Sequence, residues 1–398
     1  MTVPSTGVDR SRLPVPGQSA PFRFPAIERS TLPSGLRLWT LRHTSIPVAT
    51  VMLLVRRGAA DDPPGKEGLA AITTDMLDEG TGRLSAIEIH EALARLGAQL
   101  DSDIGPDATV LTVTVLSRFL APAIALLGNL SVRPAMREDD FTRVRQLRLH
   151  RLMQIRDMPG AVADRAFARL LYGSHPYGHT PLGNEQSLTS LTVDDTRAFH
   201  ADWRLASDAT LVIAGDCSHA EILRAAQEAF GGWSTASTPL QAATPALAAP
   251  PRLNIVPRPG APQSELRIGH VTVARNTPDY HALVAGNMVL GGQFASRINL
   301  NLREDKGFTY GARTSFDFRR LPGPFVLQAS VQTGATAEAI RESIDEIASI
   351  RDGRPVTADE LALGVAALTR GYARNFETAE QLARAATQLA LYDLPDSY

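Results

Sequence analysis

A single cysteine in 398 residues excludes an internal disulfide framework and any zinc site built from thiolates. Cys217 is expected to pack as a small apolar side chain near the end of a strand. Charge of one sign is not in excess either: 40 Lys and Arg against 42 Asp and Glu leave a formal net charge of −2. With acids and bases interspersed, nothing marks a surface for nucleic acid or for an anionic membrane. No apolar run approaches the roughly eighteen residues of a membrane helix. Residues 1–25 are rich in Pro, Ser and Gly and lack the apolar centre of a signal peptide, so they read as a disordered arm. The compartment is then cytoplasmic by default, or periplasmic if a leader has been removed. A Gly-x-Ser-x-Gly elbow and a phosphate loop are also missing, which leaves serine-hydrolase and nucleotide roles without support.

What is present suits two or three soluble domains, at 44% hydrophobic and 21% charged residues. Strands are expected at 35–40 and 48–55, and a helix over 66–78. Ser85 and Glu88 make a capping box for a helix that stops at Gly97. Residues 99–104 and 108–116 follow as paired strands, then helices from 118 to 172. Thr192 and Asp195 cap a helix leading to Trp203, before a buried strand at 209–215 and an amphipathic helix at 219–230. Residues 234–251 are low in charge and dense in Ala, Pro, Thr and Ser, which makes them the linker between a first domain at 26–233 and a second at 252–398.

Beyond the linker the pattern starts over. Strands are expected at 252–256, 265–273, 308–316 and 324–331, and helices at 278–290, 335–351, 357–376 and 378–392. Even the text echoes: Leu170-Leu171-Tyr172-Gly173 against Ala390-Leu391-Tyr392-Asp393. An internal duplication explains this economically. By the same logic the second half lacks on the order of fifty residues that follow Tyr172 in the first. Either it is truncated or it closes differently, and a missing strand would leave a sheet edge unpaired or covered by a partner.

Within the second half, residues 291–316 combine the most conformationally special residues with the most hydrogen-bond donors. Gly291 and Gly292 end an apolar helix, where glycine can take the left-handed conformation. A short helix with Ile298, Leu300 and Leu302 carries Arg303 at its end, and Gly307 breaks the chain before a strand. Arg303 and Tyr310 are seven residues apart across this junction. A guanidinium and a phenol so placed are suited to hold a peptide carbonyl and the oxyanion formed on attack. Residue type alone favours a structural reading, an Arg paired with a nearby acid such as Asp305 and a Tyr packed on a half-buried sheet.

This stretch resembles the C-terminal arginine/tyrosine segment of the insulinase/pitrilysin-type zinc metallopeptidases, among them mitochondrial processing peptidase and bacterial two-subunit relatives. The likeness runs from about Ile27 to Tyr398. It implies an α+β fold of two homologous domains, each a mixed, mostly antiparallel sheet with helices packed on it. It also implies that Arg303 and Tyr310 bind substrate opposite a zinc ion, with Gly291 and Gly292 at the substrate. Peptide-cutting members carry His-x-x-Glu-His on a helix, two histidines for the metal and a Glu for the attacking water. In the matching window, residues 68–81, those chemical positions hold Ala71, Thr74 and Asp75. The third ligand is expected from the helix at 140–157, but residues 141–156 contain no carboxylate and several arginines.

No cofactor is therefore expected in this chain. The resemblance implies the zinc-free half of a heterodimer, with zinc in a homologous partner, a peptide as substrate and self-pairing possible in crystals. A catalytically silent binding subunit, like respiratory-complex core proteins, is the alternative, and a metal held at Asp75 a third. His175 and His179 share the i, i+4 spacing, yet Pro176 and Gly178 preclude a helix, so they read as loop histidines. Asp75, Asp78 and Glu79 read as a solvated acidic helix end, and Asp61-Asp62-Pro63-Pro64 as an exposed turn.

Overall fold

The computed structural model describes residues 22–203, 209–233 and 250–398; most of the expected linker lies outside them. Phe22 and Phe24 pack on Phe376, at 4.9 and 5.4 Å between ring centroids, so the part of the expected N-terminal arm that is described is tied down. The remainder of that arm, residues 1–21, lies outside the described residues.

The first half opens with β1 (Ile27–Thr31), which was not foreseen, then β2 (Arg37–Arg42) and β3 (Val48–Val55). Helix α1 (Leu69–Asp75) and the box-capped α2 (Ala86–Arg95) precede the hairpin β4 (Leu100–Ile104) and β5 (Thr109–Leu116). Helices α3 (Leu120–Val132), α4 (Glu138–Arg156), α5 (Pro159–Tyr172), α6 (Glu185–Ser190) and α7 (Val193–Trp203) lead to β6 (Ala209–Gly215) and α8 (His219–Phe230). The six strands form one sheet in the order β1-β2-β6-β3-β5-β4. It is antiparallel except where β2 runs parallel to β6. Alternation of side chains across the strands gives it two apolar faces. Leu38, Val51, Leu53, Leu111 and Ile213 meet the helices on one side, whereas Trp39, Leu41, Met52, Leu54 and Val212 point to the other.

The second half repeats the plan. It has β7 (Gln263–Val271), α9 (Tyr280–Leu290), α10 (Arg297–Asn299) widening into a π-helical turn at Leu300–Asp305, then β8 (Thr309–Phe316) and β9 (Pro324–Gln332). Helices α11 (Thr336–Asp352), α12 (Ala358–Arg370) and α13 (Ala379–Tyr392) complete it. The sheet order β7-β9-β8 reproduces β3-β5-β4 of the first half, so the duplication is visible in the strands. The expected strand at 252–256 is not one: with no neighbour to complete its ladder, that segment runs as exposed coil. The expected long helix at 357–376 stops at Arg370, with a 3₁₀ turn over Tyr372–Phe376.

The halves exchange helices. Leu382, Ala383, Ala386, Ala390 and Leu391 of α13 cover the second face of the first sheet. In return α5 lies on β7, where Arg267 bonds Asp164 at 2.5 Å and the Gly160 carbonyl at 3.2 Å. The textual echo thus marks equivalent helices that each serve the other half. Between them the β8–β9 loop is gripped: Tyr172 donates to the Pro322 carbonyl at 3.0 Å, Tyr392 to that of Phe318 at 3.1 Å, and Asp107 accepts from the Arg320 amide at 2.8 Å. Burial pushes the Tyr172 and Tyr392 phenols up to about 12.

Candidate functional site

Helix α1 begins at Gly68, whose φ of 100° suits glycine, and its first amides are capped by Asp62. The Asp62 carboxylate accepts from Gly68 N and Ala70 N, both at 2.7 Å, and lies 3.2 Å from His179 Nε2. Its side chain is fully buried, which corrects the reading of an exposed turn at Asp62, while Pro63 and Pro64 are exposed as expected. His179 also bonds the Ala59 carbonyl at 2.8 Å, and His175 accepts from the Tyr177 amide, so both are loop histidines with protein partners. Cys217, too, packs against the core as expected.

On α1 the three positions expected to be degenerate are buried or bonded to neighbours within the protein. Ala71 and Thr74 are buried, and the Thr74 hydroxyl donates to the Ala70 carbonyl at 2.9 Å. Asp75 faces α4, where Arg148 Nε and a terminal guanidinium nitrogen reach one carboxylate oxygen at 2.7 and 2.6 Å. Burial raises the Asp75 pKa and the guanidinium opposes that rise. Glu79 pairs with one terminal nitrogen of Arg143, so both Asp75 and Glu79 are tied to α4, which corrects the reading of a solvated acidic helix end. Among the described residues, no three His, Cys, Asp or Glu side chains come together in a group able to hold a metal ion.

The second half is organised around β8. Its outer edge is closed by polar side chains and a glycine turn. Asn299 Oδ1 accepts from Ala312 N at 3.1 Å, the Gly291 carbonyl from Thr314 N at 3.0 Å, and Asn287 Nδ2 donates to the Thr314 carbonyl at 3.0 Å. Gly291 has φ −160°, so the expected left-handed helix stop is wrong. Glycine is needed there for contact: a Cβ would stand 2.3 Å from Thr314 Oγ1 and 2.6 Å from its amide nitrogen. The Gly291 and Gly292 amides both donate to the Asn287 carbonyl, at 2.9 and 2.7 Å.

This bracing presents Arg303 and Tyr310 on adjoining elements. Arg303 sits in the π-helical turn, partly exposed, with its guanidinium carbon 4.5 Å from the centre of the Phe294 ring. Its acidic neighbour is Glu304 at 3.5 Å, not Asp305 as in the structural alternative. Tyr310 lies in a bulge of the β8–β9 register, where Thr309 Oγ1 accepts from Gly311 N, and a bulge re-aims a side chain. Its phenol stands 91% exposed, not packed on the sheet. Both donors are therefore open to a ligand. The stacked Phe294, itself 61% exposed, and the bracing Asn287 and Asn299 were not singled out in the sequence. The proximity of Phe294 and Asn299 to Arg303 in the chain was the only signal for them.

Arg297, six residues before Arg303, is buried and forks onto Glu360 with two contacts of 2.7 Å. Those bonds, and the Thr357 amide, hold the Glu360 carboxyl down at about 2.

A family model described as Insulinase (Peptidase family M16) matches residues 38–184, and one described as Peptidase M16 inactive domain matches residues 190–368. An uncharacterized zinc protease of Mycobacterium leprae is 25% identical over 352 residues, 88% of this chain and 79% of that one. A probable mitochondrial-processing peptidase subunit beta of Schizosaccharomyces pombe is 25% identical over 208 residues, 52% of this chain and 46% of that one. In structure, a peptidase M16 inactive domain from Pseudomonas fluorescens superposes with a TM-score of 0.87 at 23% identity, covering 94% of this chain and 89% of the other.

Proposed function

Because the chain belongs to the insulinase family of peptidases, we propose that it is the zinc-free subunit of a two-chain metallopeptidase, gripping a peptide that a homologous partner cuts. The observation that carries this reading is the contrast between the two halves. Thr74 and Asp75 of α1 are spent on internal bonds, whereas Arg303 and Tyr310 are held open on a braced junction. In the assembled pair the partner's zinc supplies an activated water. From this chain, Arg303 and Tyr310 donate hydrogen bonds to the carbonyl oxygen of the scissile peptide and to the negative charge that develops there. Phe294 keeps the guanidinium in place by stacking. Gly291 and Gly292 serve the substrate indirectly, since their amides are taken up by the Asn287 carbonyl and the closeness of Gly291 to Thr314 sets the position of β8.

The test is co-expression with a homologue bearing His-x-x-Glu-His. A complex that hydrolyses peptides is expected, and Arg303→Ala or Tyr310→Phe should each lower its turnover about a hundred- to a thousand-fold, as loss of one oxyanion donor does. A stable but inert complex would favour a silent binding subunit. Unchanged turnover in both variants would remove Arg303 and Tyr310 from the chemistry.

A further inference from the structure

The turn that carries Arg303 is unusual in its own right. Leu300–Asp305 is π-helical, and the Lys306 amide reaches back five residues to the Asn301 carbonyl at 3.0 Å. Such turns are rare and are often found at functional sites. The buried Arg297 fork anchors the helical stretch just before it. The turn itself is fastened to a different helix.

That helix is α11. Glu338, Glu342 and Glu346 lie four residues apart, so they share one face of it. Asn301, two residues before Arg303, donates through Nδ2 to Glu342 Oε2 at 2.9 Å and to Glu346 Oε1 at 3.1 Å. Both neighbours are acceptors, so only the amino end of the carboxamide can face them. The Glu346 side chain is 8% exposed, and Arg354 holds the same oxygen at 3.1 Å. Lys306, three residues after Arg303, reaches Glu342 at 3.2 Å and Glu338 at 3.5 Å. The turn is thus pinned on both sides of Arg303, and Glu342 takes part in both pins. Hydrogen bonds from Asn301 and Lys306 hold the Glu342 carboxyl below its ordinary range. Arg303 has no comparable restraint of its own. Its contact with Glu304 is 3.5 Å long and open to solvent, and Phe294 offers it a face rather than a direction.

We propose that Asn301 and Lys306, braced on the α11 carboxylates, are positioning residues for Arg303. They fix the width of the π-helical turn and so the direction in which the guanidinium is offered. The step from position to chemistry rests on the gripping role given above to Arg303. Asn301 has the larger share, because one of its bonds ends on a buried carboxylate that would otherwise lose a donor. Lys306 has the smaller one, since its partners lie nearer to water. A donor aimed at charge that develops only in the transition state acts on kcat more than on KM.

The first measurement uses the whole chain without a partner. The Phe294 ring shields what stacks on it, so the Arg303 Nε–H resonance of arginine-labelled protein should lie upfield and vanish in Arg303→Lys. Asn301→Leu should return that resonance to the range of freely exposed arginines, and Lys306→Met should move it part of the way. An unmoved resonance in both variants overturns the proposal. Lys306 is at the surface, so its variant decides the matter where Asn301→Leu does not fold. The second measurement is turnover of the complex with a zinc-bearing homologue. Asn301→Leu is expected to lower kcat about ten- to a hundredfold with KM nearly unchanged. In an Arg303→Ala background it should lower kcat no further, because it acts through Arg303. An equal drop in both backgrounds would show that Asn301 supports the fold alone, and overturns the proposal. A resonance that moves while Arg303→Ala leaves turnover intact upholds the positioning and removes the gripping role instead.

Discussion

Asp62 lies between two prolines and an acid, in a string of residues that reads as solvent-facing, and yet it is buried. It accepts two amide bonds from the start of α1 and meets His179. Burial raises its pKa while the two amides and the histidine act against that rise. Removing the carboxylate would leave amides at a helix start without acceptors, in a place water does not reach. Asp62→Ala is expected to cost about 2–3 kcal/mol, more than an exposed helix cap, and Asp62→Asn less because one acceptor remains. Denaturant midpoints of the two variants check the order. Nothing local reveals such a residue, since its partners, Ala59, Gly68, Ala70 and His179, are brought to it by the fold.

Glu360 is the opposite case, a capping-box residue recognisable three positions after Thr357, whose second role was hidden. Its carboxyl also receives the buried Arg297 fork and is held down at about 2. A carboxylate depressed in the folded state adds stability above its unfolded pKa of about 4.3 and loses it as pH falls toward the folded value. Glu360→Gln should therefore lower stability by about 1–2 kcal/mol at neutral pH. The difference from the parent chain should shrink as pH is lowered from about 4.5 to about 2. Thermal melts at pH 7, 4 and 3 measure it, and a gap that stays constant with pH would mean the fork contributes nothing through charge.

At the level of elements, what could be read from the chain was whatever short-range chemistry decides. Ser85–Glu88, Thr192–Asp195 and Thr357–Glu360 are reciprocal caps spanning three residues, and each helix starts where its cap stands. Strand β5 announced itself by six consecutive β-prone residues. Residues 252–256 have the composition of a strand but no ladder to join, and strand propensity without a neighbour does not make a strand. Gly291 and Gly292 failed for a related reason: a glycine fitted against another element looks, in sequence, like a glycine with positive φ. The contact makes a firm prediction. Gly291→Ala places a methyl against Thr314, and the strand must yield, at a cost of about 1–3 kcal/mol for overpacking. Since that strand carries Tyr310, turnover of the assembled pair should fall as well. Gly292→Ala should be milder, because the nearest atom it meets is the end of the Asn287 side chain. Equal behaviour of the two variants in melts and in peptide hydrolysis would mean the close approach at Gly291 does not set the position of β8.

For the molecule as a whole, the repeat of strands and helices was legible, and so were the echoing tyrosines of α5 and α13. Their destination was not, because periodicity tells which face of a helix is apolar and never which sheet it covers. Each half lends its last repeat helix to the other, so neither half owns the helix that closes its own sheet. Without α13, Trp39, Leu41, Met52, Leu54 and Val212 lose their cover. At about 25 cal/mol per Å² of apolar surface returned to water, exposing even a few of these side chains costs as much as a marginal domain's whole stability. Residues 22–233 and 250–398, produced separately, should therefore each lack a cooperative thermal transition. Mixed in equal amounts they should regain one, with α13 amides protected from exchange only in the mixture. A 250–398 fragment that melts cooperatively alone, with α13 protected, would show that the exchanged helices are an ornament of packing rather than the joint that makes the two halves one body.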